Sequence, residues 1–359
     1  MSLKRLWALG FGALLIGVGI VAGPAAFAAG SVSNVTFTPS SSVGGATADW
    51  TIGFKTSNGG GALAGGGTVV VSFNSAFTEP ANPVVTLGTG FSGCTATAST
   101  VASTDTVTVT LGGGSGCGLA KNTQGALTLV GITNAPVGTY AANTFSVSTS
   151  SDTNSVSPSA AVTLGTGAAA KLAFVQGPSN AFAGTALSPA ITVQVQDQVG
   201  NPVSGAGTAV TLNPSAGVIN AGASANTDAS GKATFSSVVI NSTALGLTLT
   251  ASASGLTSTA PSASFNVTVA VSSGATLTNA ASDGSGSGVK SVAYYYCAGY
   301  SGSCTSANWT LIGSSTTATS YQVTWTSTPA PGAYRVVAVS TDNVSNASQP
   351  SASTPVTVS

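Results

Sequence analysis

The stretch ITVQVQDQVGNPVSG, residues 191 to 205, decides the fold class of this chain. Its first half alternates, so that Ile191, Val193 and Val195 fall on one face and polar residues on the other. A period of two is typical of a β-strand with one face on a core and one in water. Its second half contains the Asp, Gly, Asn and Pro residues that favour turns. We therefore predict a half-buried strand that ends in a tight turn.

The same alternation recurs along the chain, and no convincing helical stripe follows the first 28 residues. The apolar faces are predicted to carry Ala48, Trp50, Ile52 and Phe54 in one strand, Val107, Val109 and Leu111 in a second, and Tyr321, Val323 and Trp325 in a third. Short alternating segments separated by Gly, Ser, Asn and Pro are typical of β-sandwiches. The predicted fold class is all-β, with tandem immunoglobulin-like β-sandwiches after an N-terminal signal peptide.

The length of the chain predicts several modules, because about 330 residues after the signal are too many for one sandwich. Small-residue links at 164–171 and 268–275 supply the boundaries. We predict a signal peptide at 1–28, a β-sandwich domain at 29–166, and two further β-sandwich domains, at 167–269 and 270–359. The links are short, so we expect a semi-rigid rod.

The first 28 residues have the pattern of a secretory signal. Lys4 and Arg5 precede an apolar run, and Ala26-Phe27-Ala28 fits the small-x-small rule, with cleavage before Ala29. An uncleaved anchor is the alternative, since the run is just long enough to span a bilayer. No second run of that length follows, so we expect no transmembrane segment after cleavage and a secreted, extracellular, cell-surface-associated protein.

The four cysteines predict disulfides, because an even number in an exported chain is typical of an oxidised framework. Four cysteines allow three pairings. We favour Cys94 with Cys117 and Cys297 with Cys304, which keeps each bridge inside one predicted domain. A zinc site is disfavoured, because neither pair has CxxC spacing and the chain contains no histidine.

The scarcity of charge excludes several classes of function. Only 4% of residues are charged, histidine is absent, and Glu79 is the single glutamate. With two basic residues in the signal, six basic groups face eight acidic ones, so we expect no nucleic-acid partner. Hydrolytic chemistry needs a positioned base, an activated nucleophile or a metal, and this composition rarely assembles one. We predict no enzymatic activity and no cofactor.

The segment YYYCAGYSGSC, residues 294 to 304, combines tyrosines and cysteines more densely than the rest of the chain. The simpler interpretation is a pair of core tyrosines, Tyr294 and Tyr296, followed by a stapled hairpin. The functional interpretation makes Tyr295, Tyr300 and Trp309 a stacking platform for a sugar, because aromatic rings are large, rigid contact groups with a polar tip. The sequence leaves both open.

Two other patterns have a functional and a structural interpretation. GTGFSG at 88–93 matches GxGxxG, but a dinucleotide site needs a helix next, and a β-branched segment follows. We interpret it as a turn.

Asp283, Asp342 and Asn343 could approach one another and bind calcium through oxygen ligands. Alternatively, these Asp and Asn side chains hydrogen-bond their own turns.

The second predicted module resembles a bacterial Ig-like domain of the invasin/intimin type. In that family a strand ends in an Asp-x-x-Gly-Asn turn, matched here by Asp197, Gly200 and Asn201. A second family turn is matched by Thr227, Asp228, Gly231, Ala233, Thr234 and Phe235. The third module resembles another bacterial Ig-like repeat of exported surface proteins, through ASDGSGSGVKSVAYYYC and GAYRVVAVSTDNVSN. Residues 30–163 are only loosely similar to β-rich exported domains.

The resemblance implies a non-enzymatic spacer that projects an adhesive part from the cell. We therefore expect a cell-surface structural or adhesive protein for adhesion, spacing or envelope and matrix assembly. Its expected partners are a cell-envelope or extracellular polymer, another surface protein, or a second copy of the chain. The alternative is a secreted carbohydrate-binding protein that uses the aromatic platform in the third domain.

Overall fold

A computed structural model describes residues 30–101, 103–279, 281–282, 286–317 and 320–359. The regular structure in these ranges is almost entirely β, and the helices found there are two single 3-10 turns, Ala142–Thr144 and Ser306–Asn308. Within the same ranges, no helix has the length and apolar character that membrane crossing requires. The predicted signal peptide lies outside the described residues.

The described chain contains twenty-seven strands. In chain order they are β1 Ser33–Pro39, β2 Thr47–Lys55, β3 Leu63–Ala64, β4 Thr68–Ser72, β5 Val84–Leu87, β6 Thr95–Val101, β7 Thr106–Gly112, β8 Gly118–Leu119, β9 Gln124–Thr133, β10 Gly138–Tyr140, β11 Ser146–Thr149, β12 Val162–Leu164, β13 Lys171–Gln176, β14 Ala181–Phe182, β15 Ile191–Gln196, β16 Ala209–Pro214, β17 Ser224–Asn226, β18 Lys232–Phe235, β19 Ala244–Leu247, β20 Leu249–Ser252, β21 Phe265–Val271, β22 Ala275–Leu277, β23 Val289–Ala298, β24 Thr310–Ser315, β25 Val323–Trp325, β26 Gly332–Asp342 and β27 Thr354–Val358.

The chain divides into two compact units. The first contains residues up to Ser41, then Thr47–Thr133 and Thr139–Val162. The second contains Ser42–Ala46, Asn134–Gly138 and Thr163–Ser359. The expected boundary between 269 and 270 falls inside strand β21. The division into three modules therefore stays a prediction.

The first unit is a sandwich of two antiparallel sheets. One sheet has the order β1-β2-β9-β5 and the other β11-β4-β7-β6. Aromatic rings join the two sheets, because Trp50 of β2 makes edge-on contacts with Phe73 and Phe77, at centroid distances of 5.8 and 5.5 Å. Trp50 is fully buried. This cluster is the centre of the first core.

The predicted apolar faces of the first unit are confirmed. The buried residues are Ala48, Trp50, Ile52 and Phe54 in β2 and Val107, Val109 and Leu111 in β7. Their neighbours Asp49 and Thr51 are exposed, as the alternation predicts. Gly53 differs from the prediction because it is buried: a Cβ there would lie 2.5 Å from the Thr36 hydroxyl on the neighbouring strand.

The second unit begins with two three-stranded sheets that enclose one apolar cluster. Their orders are β13-β15-β18 and β17-β16-β20. Ile191, Val193 and Val195 are buried in this cluster, as predicted. The opposite face of β15 is not fully in water, because Gln194 is buried and its amide donates to the carbonyls of Ser230 and Gly231. The expectation of a half-buried strand was wrong at this position.

The remainder of the second unit is built on a seven-stranded sheet with the order β14-β21-β27-β26-β23-β24, in which β19 also pairs with β21. Strands β21 and β27 pair in parallel. Trp325 and Tyr321 are buried beside this sheet, as predicted, and Val323 is partly buried. Tyr321 precedes β25 and has a left-handed φ of 42°, so the predicted strand over 321–325 is shorter than expected.

Candidate functional site

The tyrosines of YYYC point to opposite faces of strand β23, as their alternation predicts. Tyr294 is buried, and its hydroxyl donates to the Tyr321 carbonyl at 2.8 Å. Burial raises the pKa of the Tyr294 phenol. Tyr296 packs on Trp325 with a centroid distance of 5.3 Å. These two residues are core residues, which is the simpler interpretation of the segment.

Tyr295 lies on the other face and stacks on Trp309. The ring centroids are 5.0 Å apart, and the ring planes are inclined by 27°. The Trp309 Nε1–H is buried and has no hydrogen-bond partner among the described residues. Offset stacking of this kind gives a rigid aromatic pair. Two of the three predicted platform residues are therefore in contact.

A buried arginine organises the loop that follows β23. Arg335 pairs with Cys297 in the β23–β26 ladder, and its side chain is only 8% exposed. Its guanidinium donates to the carbonyls of Gly299, Ser301 and Gly302, at 2.9, 2.9 and 3.0 Å. Because a buried charge needs hydrogen-bond partners, these three bonds hold the loop against the sheet.

The Cys297–Cys304 disulfide closes the same loop. The Arg335 bonds and this covalent bridge together restrict the loop and place Tyr300, which lies within it. The Tyr300 hydroxyl forms a hydrogen bond with the Thr357 hydroxyl on β27. Strand β27 is separated from β23 by β26. Tyr300 is therefore bonded to a strand two places from β23, whereas Tyr295 stacks on Trp309, and the three-residue platform stays a prediction.

The second disulfide, Cys94–Cys117, is the pairing favoured above. It lies next to the GTGFSG loop, in which Gly90 and Gly93 adopt left-handed φ values of 88° and 61°. Strand β6 follows the loop, whereas a dinucleotide site requires a helix there. The turn interpretation of GTGFSG agrees with this geometry.

The calcium hypothesis receives no geometric support from the residues described. Asp342 directs its oxygens to the Val344 and Asn346 amides and to the Asn346 side chain, and the Asn343 side chain donates to the Ser287 carbonyl. Asp283 lies outside the described residues. Among the residues that the structure covers, no three His, Cys, Asp or Glu side chains are grouped for a metal.

Three aspartates close five-residue turns with one common geometry. Asp197, Asp228 and Asp342 each accept from the backbone amide four residues later. In each turn the fourth residue has a left-handed φ: 106° at Gly200, 76° at Gly231 and 73° at Ser345. Hydrogen bonds lower the pKa of all three carboxyls, against the opposing effect of burial. The sequence signal for the third turn, Asp342 with Asn346, is the same spacing as Asp197 with Asn201.

The Asp197 turn differs from the other two because it is buried. Asp197 is 1% exposed, and its carboxylate also accepts from the Gly167 amide at 2.9 Å. Asn201 donates both to Asp197 and to the Gly44 carbonyl, at 2.8 and 2.7 Å. Burial alone would raise the pKa, but the bonds from Gly167, Asn201 and Gly200 outweigh it and lower the pKa to about 2. This turn ties three separate segments of the second unit together.

This depressed pKa predicts acid sensitivity. Because the folded pKa, about 2, is below the ordinary value of 3.8, the stabilisation is complete above about pH 4 and is lost as the pH falls towards 2. We expect a loss on the order of 1–2 kcal/mol after solvent screening. Urea unfolding at a series of pH values measures it. An Asp197→Asn variant, which cannot titrate there, should show a shallower slope. Equal slopes would contradict the assignment.

Residues 167–273 match the family model described as SMCHD1 Ig-like domain 6. This match covers less than half of the chain, and it agrees with an Ig-like fold for the segment. No curated protein sequence matches the chain.

Several solved structures are similar. The Yersinia pseudotuberculosis adhesin InvE is 21% identical over 67% of this chain and 61% of its own, with a TM-score of 0.22. Invasin, described as a bacterial integrin-binding protein, is 15% identical over 86% and 56%, with a TM-score of 0.27. The group B streptococcus pilus 2b backbone protein is 13% identical over 62% and 83%, with a TM-score of 0.26. The chain thus spans about three fifths of InvE. No functional property follows from these scores.

Proposed function

We propose that this protein is an exported, non-enzymatic surface protein that acts in adhesion or in envelope assembly. The observation that supports a non-enzymatic role is that three aspartate carboxylates form hydrogen bonds within turns. Asp197, Asp228 and Asp342 are all committed to their own turns, and hydrogen bonds keep their pKa values low. A general base works best with a pKa near the operating pH. These aspartates are therefore structural groups.

Glu79 differs from these three aspartates. Burial raises its pKa, and the nearby charge of Asp105 acts in the same direction. One of its oxygens has no hydrogen-bond partner in the part of the chain that is described. Asp152 Oδ1 is likewise buried without a hydrogen-bond partner among the described residues, so a competing enzymatic hypothesis would depend on Glu79 or Asp152.

Surface features of the first unit support a role in association. Strand β5 is one edge strand of the first sheet, and strand β6 is one edge strand of the second. Val84 on β5 is 67% exposed and Val101 on β6 is 48% exposed. Edge strands with exposed apolar side chains are sites where another chain can pair. The two disulfides support export, because such bonds persist in oxidising compartments.

Co-sedimentation tests the proposal. The purified, disulfide-bonded protein is incubated with intact cells and isolated envelopes of its source, and we expect it to sediment with both. A Val84→Lys, Val101→Lys double variant should bind less if the edges take part, while a Val175→Lys variant, changed at another exposed valine, serves as the control. Hydrolysis of a peptide, ester or glycoside substrate that Glu79→Gln or Asp152→Asn abolishes would contradict the proposal.

A further inference from the structure

A groove in the second unit lies beside Tyr300, outside the Tyr295–Trp309 stack. Its volume is about 350 Å³, within the range of roughly 300–1,000 Å³ that small-molecule sites occupy. The residues that shape its chemistry are Asn180, Phe182, Asn266, Thr268, Tyr300 and Thr357. None of the residues that line it is charged. A phosphate or carboxylate ligand would find no cationic partner there.

One wall of the groove is aromatic. Phe182 is 39% exposed, although it is a large apolar side chain on strand β14. Tyr300 supplies a second ring, and the Arg335 bonds and the Cys297–Cys304 bridge fix the loop that carries it. Rigid aromatic rings offer a large contact area with little loss of conformational entropy. Such faces suit the C–H surface of a sugar ring.

The floor of the groove is a chain of three hydroxyls. Thr357 is in the middle, bonded to the Thr268 hydroxyl at 2.8 Å and to the Tyr300 hydroxyl. Each hydroxyl has one donor and two acceptor positions. The two ends of the chain therefore keep hydrogen-bonding capacity for a ligand that carries several hydroxyl groups.

Two asparagine amides present donors to the same groove. The backbone N–H of Asn266 donates to Asn180 Oδ1 at 2.7 Å, and the backbone N–H of Gly246 donates to Asn266 Oδ1 at 2.9 Å. These bonds fix the orientation of both side-chain amides. Neither Nδ2 group has a hydrogen bond to another described residue, so both remain available as donors.

We propose that this groove binds a neutral glycan. The combination of exposed ring, hydroxyl chain and free amide donors, without charge, matches the alternating C–H and O–H surfaces of an uncharged oligosaccharide. The inference rests on the proposed adhesive function, since it names the ligand class through which adhesion occurs. The groove holds roughly one or two sugar rings, so affinity for a longer polymer depends on repeated engagement along it.

The test is calorimetric titration of the disulfide-bonded protein with cellohexaose, maltohexaose, laminarihexaose and mannohexaose, with polygalacturonate as the charged comparison. We expect at least one neutral hexaose to bind and polygalacturonate not to bind. Phe182→Ala should weaken that binding about fivefold or more, because it removes the exposed ring.

A second variant, at Asn180, keeps the accepting oxygen of the side chain but removes its hydrogen-bond donor. Asn180→Asp retains the oxygen that accepts from the Asn266 amide but replaces the free NH₂ group with a charged oxygen. It should also weaken binding, with an unchanged melting temperature. Trp309→Ala is the matched control, because it removes an aromatic ring from the other cluster, and it should leave the affinity unchanged.

Two results would overturn the inference. Either no neutral hexaose binds at millimolar concentration, or Trp309→Ala abolishes binding that Phe182→Ala leaves intact. Co-sedimentation of the same protein with envelopes distinguishes a failure of the glycan site from a failure of the proposed surface function. Retained sedimentation without hexaose binding refutes the glycan site alone. Hexaose binding without sedimentation refutes the surface role alone.

Discussion

Replacing Asp197 with alanine is expected to lower the free energy of unfolding of the second unit by about 3 kcal/mol. The carboxylate is 1% exposed and accepts from the amides of Gly167, Val199, Gly200 and Asn201. Alanine leaves these N–H groups without their acceptor in a buried place, which costs more than the loss of the bonds themselves. Urea unfolding at neutral pH measures the change.

Asp342→Ala is the matched control for this variant. Asp342 closes the same five-residue turn, with the same bonds to the amide and side chain four residues later, and it also accepts from the Ser287 side chain, but it is less buried than Asp197. We expect a clearly smaller loss of stability. Equal losses for the two variants would contradict the claim that burial makes the Asp197 turn important.

The second large effect is expected in the first unit, where Trp50→Ala should lower the free energy of unfolding by about 3–5 kcal/mol. Trp50 is fully buried between the sheets and makes edge-on contacts with Phe73 and Phe77. Removal of the indole leaves a cavity that rigid β-sheets close poorly. Chemical unfolding followed by far-UV circular dichroism measures the loss.

Trp309→Ala provides the comparison for Trp50→Ala. The Trp309 indole is partly exposed and stacks on Tyr295. Its removal should lower the free energy of unfolding by about 1 kcal/mol. A loss of stability for Trp50→Ala that is no larger than the loss for Trp309→Ala would contradict the central position of Trp50 in the first core.

Alternation along the sequence predicted the core because strand geometry alone determines which side chains share a face. This local rule placed Trp50, Ile52, Val107 and Val193 in the core. It failed at Gln194, which is buried because the Asp228 turn folds over it and accepts its amide protons. That contact joins residues far apart in sequence, and periodicity contains no information about it.

The candidate site was harder to predict for the same reason. Alternation separated Tyr295 from Tyr294 and Tyr296, but it could not place Tyr300, which lies in a loop beyond the strand. The position of Tyr300 depends on Arg335, which reaches the loop through the register of β23 against β26. A single arginine in a strand gives no sequence signal of this role. The groove between Phe182 and Thr357 likewise requires the tertiary structure.

The turn at Asp342 had two interpretations in the sequence. The adjacency of Asp342 and Asn343 suggested oxygen ligands for calcium, whereas Asp342 and Asn346 form the same turn as Asp197 and Asn201. The pattern was visible in the sequence, since both pairs are four residues apart. The turn interpretation agrees with the hydrogen bonds of Asp342, and the calcium site stays a prediction.

The most direct test of the central claim is fractionation of the cells that make this protein, followed by intact mass measurement. We predict a chain in the envelope fraction that begins near Ala29 and is lighter than the reduced polypeptide by four hydrogen atoms, one pair for each disulfide. A cytoplasmic chain that retains its first 28 residues and four free thiols would contradict export, the disulfide framework and the surface role together.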